Sequence, residues 1–137
     1  MIAYFDCFSG ISGDMTLGAL ANLGMPVDWL EKTLKTHLGL ADFHLSVEPV
    51  QRAGIAAAAV TVHVHQGAER NFQAISEMID QSRLSATVKQ TSLAMFDRLA
   101  EAEANIHGCE KAKVHFHEVG GVDAIVDMVG TALGIEY

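Results

Sequence analysis

Cysteine is scarce in this chain. Cys7 and Cys109 are the only two, too few for a disulfide framework. A reduced, cytoplasmic compartment is therefore the expectation. Basic residues are scarce too: nine Lys and Arg face 17 Asp and Glu, a formal charge of -8. Such a field repels nucleic acid and anionic membrane surfaces and favours cations. No stretch approaches the ~18 uninterrupted apolar residues of a membrane span. Residues 1–10 have no basic start and carry Asp6 inside an apolar run, unlike a secretory signal. The loop at 9–13 is not followed by a Walker lysine, which excludes a P-loop. What remains is a chain of 137 residues, 50% hydrophobic and 19% charged. That composition excludes disorder and suits one domain with a real core.

Periodicity supplies the elements. Residues 2–8 read as a buried strand. Met15, Leu17, Leu20, Ala21 and Leu23 suggest a first helix, ended near Gly24. Pro26 opens a second helix with Val27, Leu30, Leu34 and Leu38 as its stripe, stopped by Gly39. Phe43, Leu45 and Val47 alternate with polar residues. Residues 56–65 return with Val60, Val62 and Val64 toward the core, so the two runs form a hairpin. Phe72, Ile75, Ile79 and Ser82 mark a third helix. Ser85 is an N-cap for a long fourth one, striped by Val88, Met95, Leu99, Ala102 and Ile106 and ended by Gly108. Val122, Ile125, Val126, Val129 and Leu133 recur at helical spacing in the last. The order β-α-α-β-β-α-α-(β)-α implies an α+β fold: a small, mostly antiparallel sheet with helices packed on one face. Residues 135–137 carry no helix stop signal, so a fragment of a longer polypeptide is expected.

The densest chemistry lies in the thirteen positions 115–127. His115 and His117 share a face if that part is extended, with Cα atoms roughly 6.5–7 Å apart. Glu118 adjoins them. After the glycine pair, Asp123 and Asp127 share a helical face at i, i+4. A strand-to-helix corner could aim all of them at one spot, fit for a divalent metal or a proton transfer. The alternative is two exposed edge histidines and two solvated aspartates. Glu103 and His107 form another i, i+4 pair, either a shared ligand set or a solvated helix pair. His63 and His65 share a strand face, as a secondary metal contact or as surface residues.

The N-terminal loop is the other candidate. Ser9, Gly10, Ser12 and Gly13 permit close backbone approach, and the helix start behind them offers free N–H groups to an anion. Asp14 is either part of this site or a helix cap. Asp6, at the end of a strand read as buried, needs a partner, a cation or a raised pKa.

Two groups of motifs carry a resemblance. The run at 5–15, Phe-Asp-Cys-Phe-Ser-Gly-Ile-Ser-Gly-Asp-Met, goes with Leu99-Ala100-Glu101-Ala102-Glu103, Ile106-His107-Gly108 and Val114-His115-Phe116-His117-Glu118-Val119-Gly120. Together, in this order, they resemble the LarC family of nickel insertion proteins. The resemblance implies a nickel chelatase of the lyase class. Such a protein places nickel into pyridinium-3,5-bisthiocarboxylic acid mononucleotide, consumes CTP, and so makes the nickel-pincer cofactor. It points to Asp6, Asp14, Glu103, His107, His115, His117 and Glu118. His115 and His117 would hold or relay nickel, and Glu118, Asp123 or Asp127 would act as ligand or base. The loop of Ser9, Gly10, Ser12 and Gly13 would meet the nucleotide phosphate. Where the family often has a His-rich stretch, Gln66-Gly67-Ala68-Glu69-Arg70 stands here. Residues 1–137 would be an N-terminal domain or fragment, without the C-terminal part that handles CTP with a divalent metal. Expected partners are the pincer nucleotide and that C-terminal part, with no nucleic acid and no membrane. The flat Ala56-Ala57-Ala58-Ala59 run, at a sheet edge, could pair with a second copy. Two other readings stand beside this one: a metal- or nucleotide-binding module without turnover, and a metal-dependent hydrolase. Imidazole and carboxylate serve nickel, zinc and cobalt alike.

Overall fold

The computed structural model describes residues 3–64, 70–114, 116 and 120–137. Its sheet, among the described residues, is one antiparallel hairpin: β1 (Phe43–Arg52) and β2 (Ile55–Val64). Ala53 (φ 48) and Gly54 (φ 82) make the two-residue turn, with the two left-handed conformations that match strand twist. Pairing runs from Arg52↔Ile55 back to Phe43↔Val64. Counted by alternation from the turn, Pro49 falls where an N–H would point off the free edge of β1. The ladder therefore loses nothing to the proline. Leu45 has the same parity, and its outward N–H donates to Glu31 Oε2 at 2.7 Å.

Among the described residues five α-helices accompany it: α1 (Gly13–Asn22), α2 (Val27–Thr33), α3 (Phe72–Gln81), α4 (Ala86–His107) and α5 (Val122–Glu136). A π-helical turn, Leu34–Leu38, extends α2 until Gly39 turns left-handed at φ 76. Helix α5 is the hub. Its Ile125, Val126 and Val129 are fully buried, because its apolar residues recur on a wide stripe. Leu17 of α1 and Leu30 of α2 close over Gly130. Helix α1 lies so near β2 that a Cβ on Gly18 would sit 2.2 Å from the Ala58 carbonyl oxygen. Helix α4 starts as expected: Ser85 Oγ accepts from the Val88 N–H at 3.2 Å. The same hydroxyl donates to Glu136 at the far end of α5. Asn71 caps α3 in the same manner, accepting from Ala74 N–H at 2.8 Å.

Three expectations need correction. Residues 3–8 are no buried strand: among the described residues no strand pairs with them, and Tyr4 and Phe8 are 87% and 93% exposed. An apolar run without a ladder partner is left in solvent. The stripe of α1 is misplaced in part: Leu17 is buried and Leu20 and Ala21 pack against the core as expected. Met15 and Leu23 face outward while Thr16, Leu17 and Gly18 are buried, because close approach to β2 and α5 selects small residues. The buried line of α4 is Val88, Ser92, Phe96 and Ala100, and Ile106 is exposed. The i, i+4 ladder from Val88 brings Phe96, Ser92 and Ala100 inward, while Met95 and Leu99 of the expected stripe pack at its margin. Of the optional strand in the 115–127 motif, Phe116 is described and belongs to no strand; Val114 just before it is extended (φ -64, ψ 122) but joins no strand either.

Candidate functional site

The first turns of α1 and α5 converge. The contact point is Gly13, where a Cβ would lie 2.3 Å from Asp127 Cβ. Only glycine admits this approach. Ser12 is the N-cap residue of α1, yet its side chain makes no cap bond. Its hydroxyl donates instead to the Asp14 carboxylate. The Asp127 carboxylate, one helical turn into α5, accepts the backbone N–H of Asp14. An acid from α5 thus caps α1, and the positive end of the α1 dipole favours it.

Asp123 and Asp14 bring two more carboxylates to this corner. Both are exposed, whereas Asp127 is half-buried. Its Oδ1 is buried and has no hydrogen-bond partner among the described residues. Burial, then the charges of Asp14 and Asp123, push the Asp127 carboxyl from 3.8 up to about 6, against the lowering effect of the Asp14 N–H. Burial disfavours the charged form, and like charges that cannot all ionise together add to the same direction. Near neutral pH such a group can accept a proton and hold it. Among the described residues no three His, Cys, Asp or Glu side chains are grouped closely enough to hold a metal ion. Asp14, Asp123 and Asp127 thus form an acid/base cluster at the junction of α1 and α5.

The other expected residues divide. Ser9 lies in the turn closed by the Gly10 N–H and Cys7 carbonyl at 2.9 Å, with Gly10 at φ 80. Gly13 and Asp14 meet Asp127, so the N-terminal loop and the 115–127 motif do converge in their described parts. Asp6 is exposed. Water solvates its carboxylate, so burial forces neither a partner nor a cation on it. Glu103 Oε2 and His107 Nε2 lie 3.1 Å apart on α4. His115, His117, Glu118 and His65 lie outside the described residues. Phe116, between the two histidines in sequence, is a core anchor. It meets Phe72 edge-on and Phe96 at a tilt, centroids 6.3 Å apart in each case. Arg70 N–H donates to the Gly120 carbonyl at 3.1 Å, tying the end of the motif to the start of α3.

On the hairpin, one residue escaped the sequence reading. His63 pairs across the strands with His44. The two rings stack at 6.1 Å and 20°. The signal was present in the alternation of β1, which puts His44 opposite to Phe43 and Leu45, but only the register pairs it with His63.

A model of the nickel insertion protein family matches residues 3–137. The chain belongs to this family. It is 53% identical over 139 residues to a protein of Geotalea uraniireducens (strain Rf4) named for nickel insertion, covering 99% of this chain and 35% of the relative. A Geotalea daltonii relative is 49% identical at the same coverage. One from Synechocystis, 47% identical, covers the whole chain and 35% of its own length. The chain spans about one third of the length of these nickel insertion relatives. No solved structure matches it. Among the described residues, no helix is long and apolar enough to cross a membrane.

Proposed function

We propose that this chain is the nickel-handling portion of a longer protein that inserts nickel into pyridinium-3,5-bisthiocarboxylic acid mononucleotide. Forming a carbon–nickel bond requires removal of a ring proton. The observation that carries the reading is Asp127, a carboxyl titrating near neutrality at the junction of α1 and α5. It would accept that proton, with Asp14 and Asp123 biasing its charge and offering oxygens to the incoming cation. The loop of Ser9, Gly10 and Ser12 lies in the stretch leading into the same corner, a suitable place for the nucleotide phosphate. His115, His117 and Glu118 would hold nickel before transfer, with Glu103 and His107 supporting.

CTP and its divalent metal belong to the remainder of the longer protein. By itself this chain binds metal or nucleotide without turnover. The test combines it with the remaining two thirds of the Geotalea uraniireducens relative and follows nickel-pincer formation by absorbance. Product is expected from the pair and not from this chain alone. Asp127→Asn in the pair should lower the insertion rate at least tenfold. Full activity of that variant would sink the role of Asp127, and no product from any pairing would sink the reading.

A further inference from the structure

The apolar surface with most left to explain lies at residues 4–15. Five of the twelve large apolar side chains left exposed among the described residues fall there: Tyr4, Phe5, Phe8, Ile11 and Met15. The other seven are spread from Leu23 to Tyr137, and such scatter needs no explanation.

Exposure within 3–8 follows a period of two. Phe5 is 46% exposed and Cys7 is half-covered, whereas Tyr4 and Phe8, on the other parity, stand almost wholly in solvent. One side of the segment thus leans on this chain, and the other has nothing over it. A period of two belongs to a strand, and the aromatic, apolar composition suits one. Yet among the described residues only one backbone–backbone hydrogen bond involves 3–8, from the Gly10 N–H to the Cys7 carbonyl. A run built as a strand therefore offers an open apolar face and backbone groups without a ladder.

Three occupants could cover it. A lipid surface fits poorly: Asp6 lies between Tyr4 and Phe8, and no Lys or Arg precedes Lys32, so no nearby basic residue in the sequence draws the segment to anionic headgroups. A second copy fits poorly as well, because it brings its own Asp6 and a charge of -8 against the same. The remaining occupant is the rest of a longer polypeptide. This chain covers 35% of its Geotalea uraniireducens relative, so ample chain is at hand to supply a strand and an apolar cover.

We infer that the segment at 3–8 is a strand completed by the remaining two thirds of the longer polypeptide, which pairs with its backbone and covers Tyr4 and Phe8. Exposed Ile11 and Met15 continue this docking surface onto the start of α1. Phe8 is five residues from Gly13, a reach of at most ~18 Å. The docked remainder therefore lies within reach of the Asp127 corner, and sites commonly form at such junctions. The inference rests on the reading above only in making this chain a portion of a longer protein; nickel and the role of Asp127 do not enter it.

Hydrogen–deuterium exchange read by mass spectrometry is the test. In this chain alone, peptides spanning 3–12 should exchange fast. With the chain joined to the remaining two thirds of the Geotalea uraniireducens relative, the same peptides should slow at least tenfold. The intact relative needs no fusion, and its stretch aligned with 3–12 should be protected as well. Tyr4→Ser/Phe8→Ser should leave the thermal melt of this chain unchanged, because both side chains are already in water, and should abolish the protection in the joined polypeptide. Fast exchange over this stretch in both the joined chain and the intact relative would overturn the inference. So would protection gained by this chain alone at raised concentration, the mark of a second copy, or on phosphatidylglycerol vesicles, the mark of a lipid surface. Protection retained in the double variant would overturn the part given to Tyr4 and Phe8. No product is measured here, so a failure of nickel insertion and a failure of this docking are separate results.

Discussion

At the residue scale, Asp127 concentrates the conflict between stability and chemistry. Its carboxyl is pushed from 3.8 to about 6, so the folded state binds its proton more tightly than the unfolded chain does. The contribution is therefore fully present below pH ~4 and lost as pH rises through ~6. At ~1.4 kcal/mol per unit the loss is at most ~3 kcal/mol, and solvent access makes it smaller. Asp127→Asn keeps an acceptor for the Asp14 N–H and removes the charge. It should stabilise the chain by ~1–2 kcal/mol at pH 7.5 and by almost nothing at pH 4, read from thermal melts at both values. A variant that gains stability at neutral pH while losing insertion would mark Asp127 as a functional acid, not a structural cap. Gly13→Ala acts in the opposite sense. Its methyl would collide with the Asp127 side chain, costing ~1–3 kcal/mol and displacing the carboxyl, so urea midpoints should fall.

At the element scale, each helix start has its own device. Ser85 caps α4 by its own side chain and ties it to Glu136 of α5. Ser85→Ala should cost ~1 kcal/mol, visible in thermal denaturation. Helix α1 is capped across space by Asp127. The close approach of α1 to β2 depends on Gly18, where the obstacle to a side chain is the Ala58 backbone oxygen. Backbone cannot rotate aside, so Gly18→Ala should destabilise by at least ~1–3 kcal/mol and more than Gly13→Ala does, in the same urea titration. The misplaced stripes of α1 and α4 have one cause. Where elements approach closely, Thr16, Gly18, Ser92 and Ala100 take the buried positions, and a search for large apolar residues passes over them. The last helix, buried on a wide face by Val, Ile and Leu, was fully legible.

At the scale of the whole molecule, the segment at 3–8 has little support. Tyr4, Phe5 and Phe8 are exposed, and the segment joins no sheet among the described residues. Its amides should exchange with solvent far faster than those of Ile125 and Val126, by hydrogen–deuterium exchange and mass spectrometry. Protection equal to that of α5 would contradict the arrangement. The acidic balance also acts at this scale, since a net charge of -8 favours cations over anions around the molecule.

The sequence by itself determined the α+β class, the hairpin, the caps at Ser85, Gly39 and Gly108, the apolar face of α5, and the motifs of a nickel insertion protein. All of these depend on local conformational preference, short-range periodicity or a linear pattern. Only the tertiary structure decided that Asp127 rests on Gly13, that it caps α1 and titrates near neutrality, and that His44 faces His63. Those facts arise from the packing of segments far apart in the chain. Close approach, burial and charge coupling between distant residues leave no period in a sequence to read.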